Sequence, residues 1–195
     1  MNQIIFNKNT SRMFGVIKII LMIVILILLV ITLKWIYDDF KEKELEKISK
    51  QINTNLNLRT LYASTNEEKS KYLGRIIIDK LDIEYTVFNN YNEELLKISP
   101  CKFFGKKLIE KGNICIAAHN YNDNRFFGRL NELKEKDLIK MIDIEGREYN
   151  YIIYDKYETD DEDFSILKSN KEYELTLLTC NNSNEKRIII KAYRK

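Results

Sequence analysis

His119 is the one histidine of this 195-residue chain, so any acid–base chemistry that needs an imidazole falls to it, and the candidate thiols are Cys101, Cys115 and Cys180. Cys180 has the most suggestive surroundings. It closes the apolar run YELTLLTC, the polar segment NNSNEK follows, and Arg187 opens a second run, RIIIKAYR. Both runs are rich in β-branched and aromatic side chains and read as strands. Alternate residues of a strand share a face, which groups Thr176, Leu178 and Cys180, and likewise Arg187, Ile189 and Lys191. If NNSNEK closes an antiparallel hairpin, Cys180 falls opposite Arg187 with Cβ atoms ~5 Å apart, and both side chains can reach one substrate.

A thiol beside a fixed cation and an imidazole suits nucleophilic attack on a carbonyl. The thiolate is the reactive form, and imidazolium can return a proton to a leaving amine. A guanidinium next to the attacked carbonyl stabilises the charge that develops on its oxygen. With ordinary pKa values of ~8.5 and ~6.5, the thiolate–imidazolium pair makes up only about one per cent of the singly protonated enzyme. His119 ends the run GNICIAAH and enters the polar segment NYNDNR. Spacing alone does not bring it to Cys180, and a lone histidine is more often a surface or satisfied core residue.

The elements that must position these groups begin at Leu73, where short β-rich runs separated by polar turns appear. LGRIIID, IEYTVFN, GNICIAAH, LIKMIDI, REYNYIIYD, YELTLLTC and RIIIKAYR read as strands. A short helix is expected at RFFGRLNELKE, with Phe126, Leu130 and Leu133 on one face. Cys101 stands in ISPCKFFG, outside the expected strands. The pattern predicts a mainly β fold, a closed or nearly closed barrel of about 120 residues. Tyr149, Tyr151, Tyr154 and Tyr157 are expected to pack on a half-exposed strand.

Upstream, Ile19 to Leu33 contains Thr32 as its single polar residue, and the apolar stretch with its flanks reaches the roughly 20 residues a bilayer span needs. Lys18 and Lys34 can snorkel, and Trp35 and Tyr37 suit the interface. Basic residues precede the span and DDFKEKELEK follows it, which predicts a cytoplasmic N-terminus (1–13), an uncleaved signal anchor (14–37), an extracellular spacer (38–72) and an external domain (73–195). Leu45, Ile48 and Ile52 suggest a helical first half for the spacer, with NTNLN and STNEEKS as loop. A cleaved signal peptide is the alternative, but no small-residue cleavage site follows the apolar run.

Of the 32 basic residues, Lys8, Arg12, Lys18 and Lys34 lie in 1–37, leaving 28 against 29 acidic ones in the remainder. That balance argues against a nucleic-acid partner. No cofactor is expected. One histidine and three widely spaced cysteines lack zinc-ligand spacing, and the acidic run 160–163 lacks EF-hand spacing and reads as a solvated loop. Cys115 reads as a small buried residue, with a Cys101–Cys115 disulfide as the alternative.

TLLTC, an arginine seven residues later, and GNICIAAHN upstream together resemble the sortase family, whose signature is a Thr-Leu-x-Thr-Cys strand end, a downstream arginine and a histidine after a pair of small residues. LGRIIIDKLDIEYTVF and FFGRLNELKEKDLIKM resemble further family segments, so the likeness covers roughly residues 73–193. Sortases are membrane-anchored cysteine transpeptidases of mainly Gram-positive bacteria. The resemblance implies a sortase-like closed barrel of seven or eight strands with short helices, with Cys180 as nucleophile, His119 as general acid/base, Arg187 as stabiliser of the substrate and oxyanion, and Thr179 shaping the substrate site. It also implies surface proteins bearing a motif similar to Leu-Pro-x-Thr-Gly as substrates, and an amine of a cell-wall precursor or pilin as acceptor. AHNY resembles class B and class D members, but the segment before the nucleophile strand is short for the extra helix of class B, which favours class D or a related group. The Ala-Ala pair before His119 departs from the Ala-Gly or Gly of many relatives.

Two other readings compete. Papain-like proteases place the cysteine before the histidine, and the caspase signature is absent around Cys180, so a membrane-tethered cysteine protease of another fold is the weaker enzyme reading. A non-catalytic binding or assembly module on the same barrel is the other.

Overall fold

The computed structural model describes residues 2–55, 70–121, 123–181, 183 and 185–195. The chain forms two compact units, Met1–Leu45 and Glu46–Lys195. A single helix, α1 (Asn2–Asn55), supplies the first unit and its last turns belong to the second. Between Phe14 and Tyr37 nearly all side chains are apolar and exposed, Lys18, Thr32 and Lys34 being the polar ones, and this is the one described helix long and apolar enough to cross a membrane. At ~1.5 Å per residue, positions 14–37 extend roughly 36 Å, enough for a hydrocarbon core of ~30 Å.

The second unit is built from eight strands: β1 (Tyr72–Ile78), β2 (Ile83–Phe88), β3 (Cys101–Phe104), β4 (Gly112–Ala117), β5 (Leu138–Asp143), β6 (Glu148–Thr159), β7 (Tyr173–Cys180) and β8 (Arg187–Arg194). They close into a barrel in the order β1-β2-β3-β4-β7-β8-β6-β5, with β2–β3 and β4–β7 parallel and the remaining neighbours antiparallel. All seven expected strands form, and β6 runs on to Thr159. The eighth, β3, comes from ISPCKFFG. It is four residues long, follows Pro100 and leaves Phe103 and Phe104 partly exposed, so it shows little alternation. Cys101 and Cys115 are both free and buried.

Period-two alternation fills the barrel. Ile76, Ile116, Met141, Tyr151, Leu177 and Ile190 are among its fully buried residues, and burying each apolar chain of this size stabilises by ~1.5–3 kcal/mol. Closure depends on close approach of β1 and β5. At Gly74 (φ +149°) a Cβ would sit 2.1 Å from the Ile142 carbonyl oxygen, so only glycine fits there. On the edge of β2 that β3 leaves unpaired, the Asn53 side chain of α1 accepts the Thr86 N–H (2.7 Å) and Ser99 donates to the Thr86 carbonyl (2.5 Å). Two side chains thus satisfy backbone groups that no strand reaches. This use of Asn53 also explains why NTN continues the helix, against the loop expected there. Most of STNEEKS lies outside the described residues.

RFFGRLNELKE does not form the expected α-helix. Phe126, Leu130 and Leu133 are all fully buried, yet Phe126 holds a left-handed backbone (φ +54°) and only the 3-10 turn Leu130–Glu132 follows. The Phe126 N–H bonds to the Tyr85 hydroxyl (3.2 Å), and Phe126 pairs with Asn120 in an isolated bridge. Tertiary partners capture a backbone that helix propagation would have needed. Tyr149 and Tyr151 are buried more deeply than a half-exposed strand implies, because both rings join the core cluster, with Arg194 lying over them.

The outer face of β4, β7 and β8 is also covered, by residues 160–172 with the 3-10 turn Phe164–Leu167. Beneath them Lys191 and Glu174 form a buried ion pair (2.6 Å), and Lys191 also donates to the carbonyls of Ile166 (3.1 Å) and Lys168 (3.3 Å). Asn113 donates to the same Ile166 carbonyl (2.9 Å) and accepts from Thr176 (2.9 Å). A charge is tolerated there because partners meet it on several sides. Replacing Lys191 by Met strands the Glu174 carboxylate, and urea unfolding should show a loss of about 3–5 kcal/mol.

Candidate active site

Three adjacent strand ends build the site. In the parallel β4–β7 ladder each partner is offset by 61 positions, from Asn113↔Glu174 to Ala117↔Leu178. Carried two residues past the ladder, that register sets His119 beside Cys180. The extension is held in place: the Ala118 N–H donates to the Leu178 carbonyl (3.2 Å), and the Thr179 hydroxyl donates to the Ala118 carbonyl (2.7 Å). Asn120 then donates from its side chain to the Cys180 carbonyl (2.9 Å). On the other side of β7, antiparallel pairing with β8 puts Cys180 directly opposite Arg187, as the spacing of the two runs predicts.

Alternation decides which way these groups point. Leu175, Leu177, Ile188 and Ile190 belong to the barrel core. Cys180 and Arg187, being of opposite parity, project from the outer wall, as His119 does relative to Ile114, Ile116 and Ala118. All three are half-buried and line one cleft of about 340 Å³, with Tyr91, Leu96, Lys97 and Phe103 on one side and residues 159–166 on the other. Thr179 is buried and also borders the cleft. Its hydroxyl is committed to the Ala118 carbonyl, so it fixes the spacing of the two strand ends.

Arg187 directs Nη1 at the Cys180 sulfur, while its Nε (2.8 Å) and Nη2 (2.9 Å) meet the two carboxylate oxygens of Asp161. His119 stands against the Tyr121 ring (centroids 5.2 Å apart), and no hydrogen bond joins it to Cys180 among the described residues. Burial, and then the positive charges of Lys97 and Arg187, push the His119 pKa below its usual 6.5. Burial drives the Cys101 and Cys115 thiols up to about 12 and leaves both inert as nucleophiles.

Two features of the site lay beyond the sequence reading. Asn120 and Asp161 both contact the central groups, yet each sits in an irregular segment whose conformation no periodicity specifies. The acidic run disperses. Asp161 goes to Arg187, whereas Asp163 accepts from the Thr159 hydroxyl (2.7 Å) and the Ser165 N–H (2.9 Å), capping the 3-10 turn.

The chain shares 26% identity over 123 residues with sortase A of Listeria monocytogenes, and 27% over 131 residues with sortase A of Bacillus anthracis. These segments take in 63% and 66% of this chain, but only 55% and 62% of the two relatives. Among solved structures, a Clostridium perfringens sortase D5 transpeptidase superposes with a TM-score of 0.65 at 23% identity, covering 77% of this chain and 99% of that one. The Listeria monocytogenes sortase A structure gives 0.59 at 23% identity, covering 64% of this chain and 88% of that one. The Sortase domain family model matches residues 76–195, from within β1 to the last residue, and the chain therefore belongs to the sortase family.

Proposed function

We propose that the chain is a membrane-anchored sortase-type cysteine transpeptidase in which Cys180 is the nucleophile, His119 the general acid/base and Arg187 the stabiliser of the substrate carbonyl. The observation that carries this reading is the convergence of those three side chains on one cleft through the registers of β4–β7 and β7–β8. In this mechanism the Cys180 thiolate attacks the scissile carbonyl of a bound sorting peptide. The oxyanion forms beside the Arg187 guanidinium, whose Nη1 already faces the sulfur. His119, as imidazolium, protonates the departing amine, and the peptide is left as a thioester on Cys180. An incoming amine gives up a proton to His119, attacks the thioester and releases the thiolate.

The family signature supports a substrate motif similar to Leu-Pro-x-Thr-Gly, cleaved between its last two residues, with a cell-wall precursor or pilin amine as acceptor. A class D or related assignment is supported by the segment between β6 and β7, which holds one four-residue 3-10 turn and no longer helix. The apolar stretch 14–37 acts as the anchor, residues 1–13 stay in the cytoplasm, 38–72 form the spacer, and 73–195 work outside the cell. The apolar helix and the basic residues before it support that orientation.

Sorting peptides incubated with the full chain in detergent, with and without triglycine, diaminopimelate or lysine, test the reaction class. The expected result is an amine-ligated product that accumulates with acceptor concentration and is lost in Cys180→Ala. A hydrolysed peptide alone, insensitive to any amine, would make the protein a cysteine protease. Peptide binding without turnover, unchanged in Cys180→Ala, would make it a binding module.

The depressed His119 pKa fixes the sign of the pH profile. The acid limb of kcat/KM should lie below pH 6.5. Lys97→Met removes one of the charges that disfavour imidazolium, so that limb should move upward. A limb that stays in place would remove Lys97 from the electrostatics of the site. Arg187→Lys keeps the charge but loses the planar fork, and kcat/KM should fall by roughly 10²-fold or more. Near-normal turnover would take the oxyanion role away from Arg187.

A further inference from the structure

We propose that Asp161 is a positioning residue that sets the orientation of Arg187, so that one edge of the guanidinium is kept free for the reacting sulfur and carbonyl. The inference rests on the role proposed above for Arg187.

Arg187 is the first residue of β8, opposite Cys180 on β7 and opposite Thr159 on β6. Asp161 leaves the end of β6 two residues beyond Thr159, and its carboxylate reaches back to Arg187. Both of its oxygens are used, one on Nε at 2.8 Å and one on Nη2 at 2.9 Å. A two-point contact fixes the plane of the guanidinium as well as its location, which a single hydrogen bond does not. With that edge occupied, the remaining nitrogen, Nη1, is the one presented to the Cys180 sulfur. A long, half-exposed arginine side chain otherwise has several rotamers available, and only a few of them face the thiol.

The segment that carries Asp161 is itself anchored. Asp163 ties the segment to Thr159 (2.7 Å) and to the Ser165 N–H (2.9 Å). The carbonyl of Ile166 is fastened by buried Asn113 (2.9 Å) and buried Lys191 (3.1 Å). Asp161 thus stands between a strand end and an anchored turn, which explains what the buried polar groups on the outside of the barrel accomplish for the site. Asp161 is itself half-exposed (52%), and exposed ion pairs add little to stability. Its contribution falls on geometry, and that separates the proposal from a structural role.

The test uses the full chain in detergent. Asp161→Asn keeps the shape but replaces one acceptor oxygen by a donor, and it should lower kcat by roughly tenfold while KM changes by less than about twofold. Asp161→Glu, which restores two acceptors, should recover kcat to within about threefold of wild type. In an Arg187→Ala background, Asp161→Asn should have no more than about a twofold further effect, because the residue it positions is gone. A direct readout needs no turnover. In arginine-labelled protein, the ¹⁵Nε–H resonance that vanishes in Arg187→Lys should be resolved in wild type and broadened or lost in Asp161→Asn. Wild-type kcat in Asp161→Asn, or an equal loss in both backgrounds, would overturn the proposal. An unchanged Arg187 resonance in Asp161→Asn would overturn it too. If the resonance responds as expected but no sorting peptide turns over even in wild type, the clamp stands and the transpeptidase reading fails.

Discussion

The site depends on one constraint, the parallel pairing of β4 with β7. These strands are 61 positions apart in sequence, yet each residue of one lies level with its partner in the other. A slip of one residue would turn Cys180 towards the core and bring Thr179 to the outer wall, because side-chain direction alternates. The register is pinned at both ends. Asn113 and Thr176 share a buried hydrogen bond near the start, while Thr179 and Asn120 bind the backbone of the opposite strand near the finish. Core packing of Ile114 and Ile116 with Leu175 and Leu177 does the rest, since a slipped strand would expose all of them.

From that constraint follows the unusual burial pattern of β8. RIIIK does not alternate between apolar and polar because both of its faces are covered, one by the barrel interior and the other by residues 160–172. The covering segment carries no long apolar run of its own. It is held by hydrogen bonds to barrel residues, two of which, Lys191 of β8 and Glu174 of β7, form a buried ion pair with each other and are nearly inaccessible (3% and 0% side-chain exposure). Such a pair contributes modestly to net stability but is costly to break singly, so it specifies one arrangement of the segment. Cys180, Arg187 and His119 are thereby placed on the outside of the barrel wall, along one cleft, while the interior remains a packed core.

The hairpin relation between Cys180 and Arg187 was legible because it needs only two strands, a short connection and period-two alternation. The seven longer strands were legible from their runs of β-branched and aromatic residues set between polar turns. His119 was a different case. Its partner strand is distant and parallel, no local signal records that pairing, and only the family resemblance brought it to the thiol before the structure did. Strand β3 escaped because Cys101–Phe104 is short and irregular. The helix expected around Leu130 failed because Phe126 adopts a left-handed backbone to reach Tyr85 and Asn120, a tertiary effect that overrides local periodicity. Nothing in a strand pattern announces that an irregular segment will fold over Lys191 and Glu174.

A sortase-type reaction requires that the thiol at the end of β7 become acylated, with the imidazole and guanidinium of its two neighbouring strands assisting. Intact-mass analysis of the full chain after brief exposure to a sorting peptide, without added amine, tests it most directly. A hydroxylamine-labile mass increase equal to the peptide's acyl portion should appear, map to Cys180, and form far more slowly in His119→Ala and Arg187→Ala. Equal adduct formation in all three proteins, or an adduct on another residue, would contradict it.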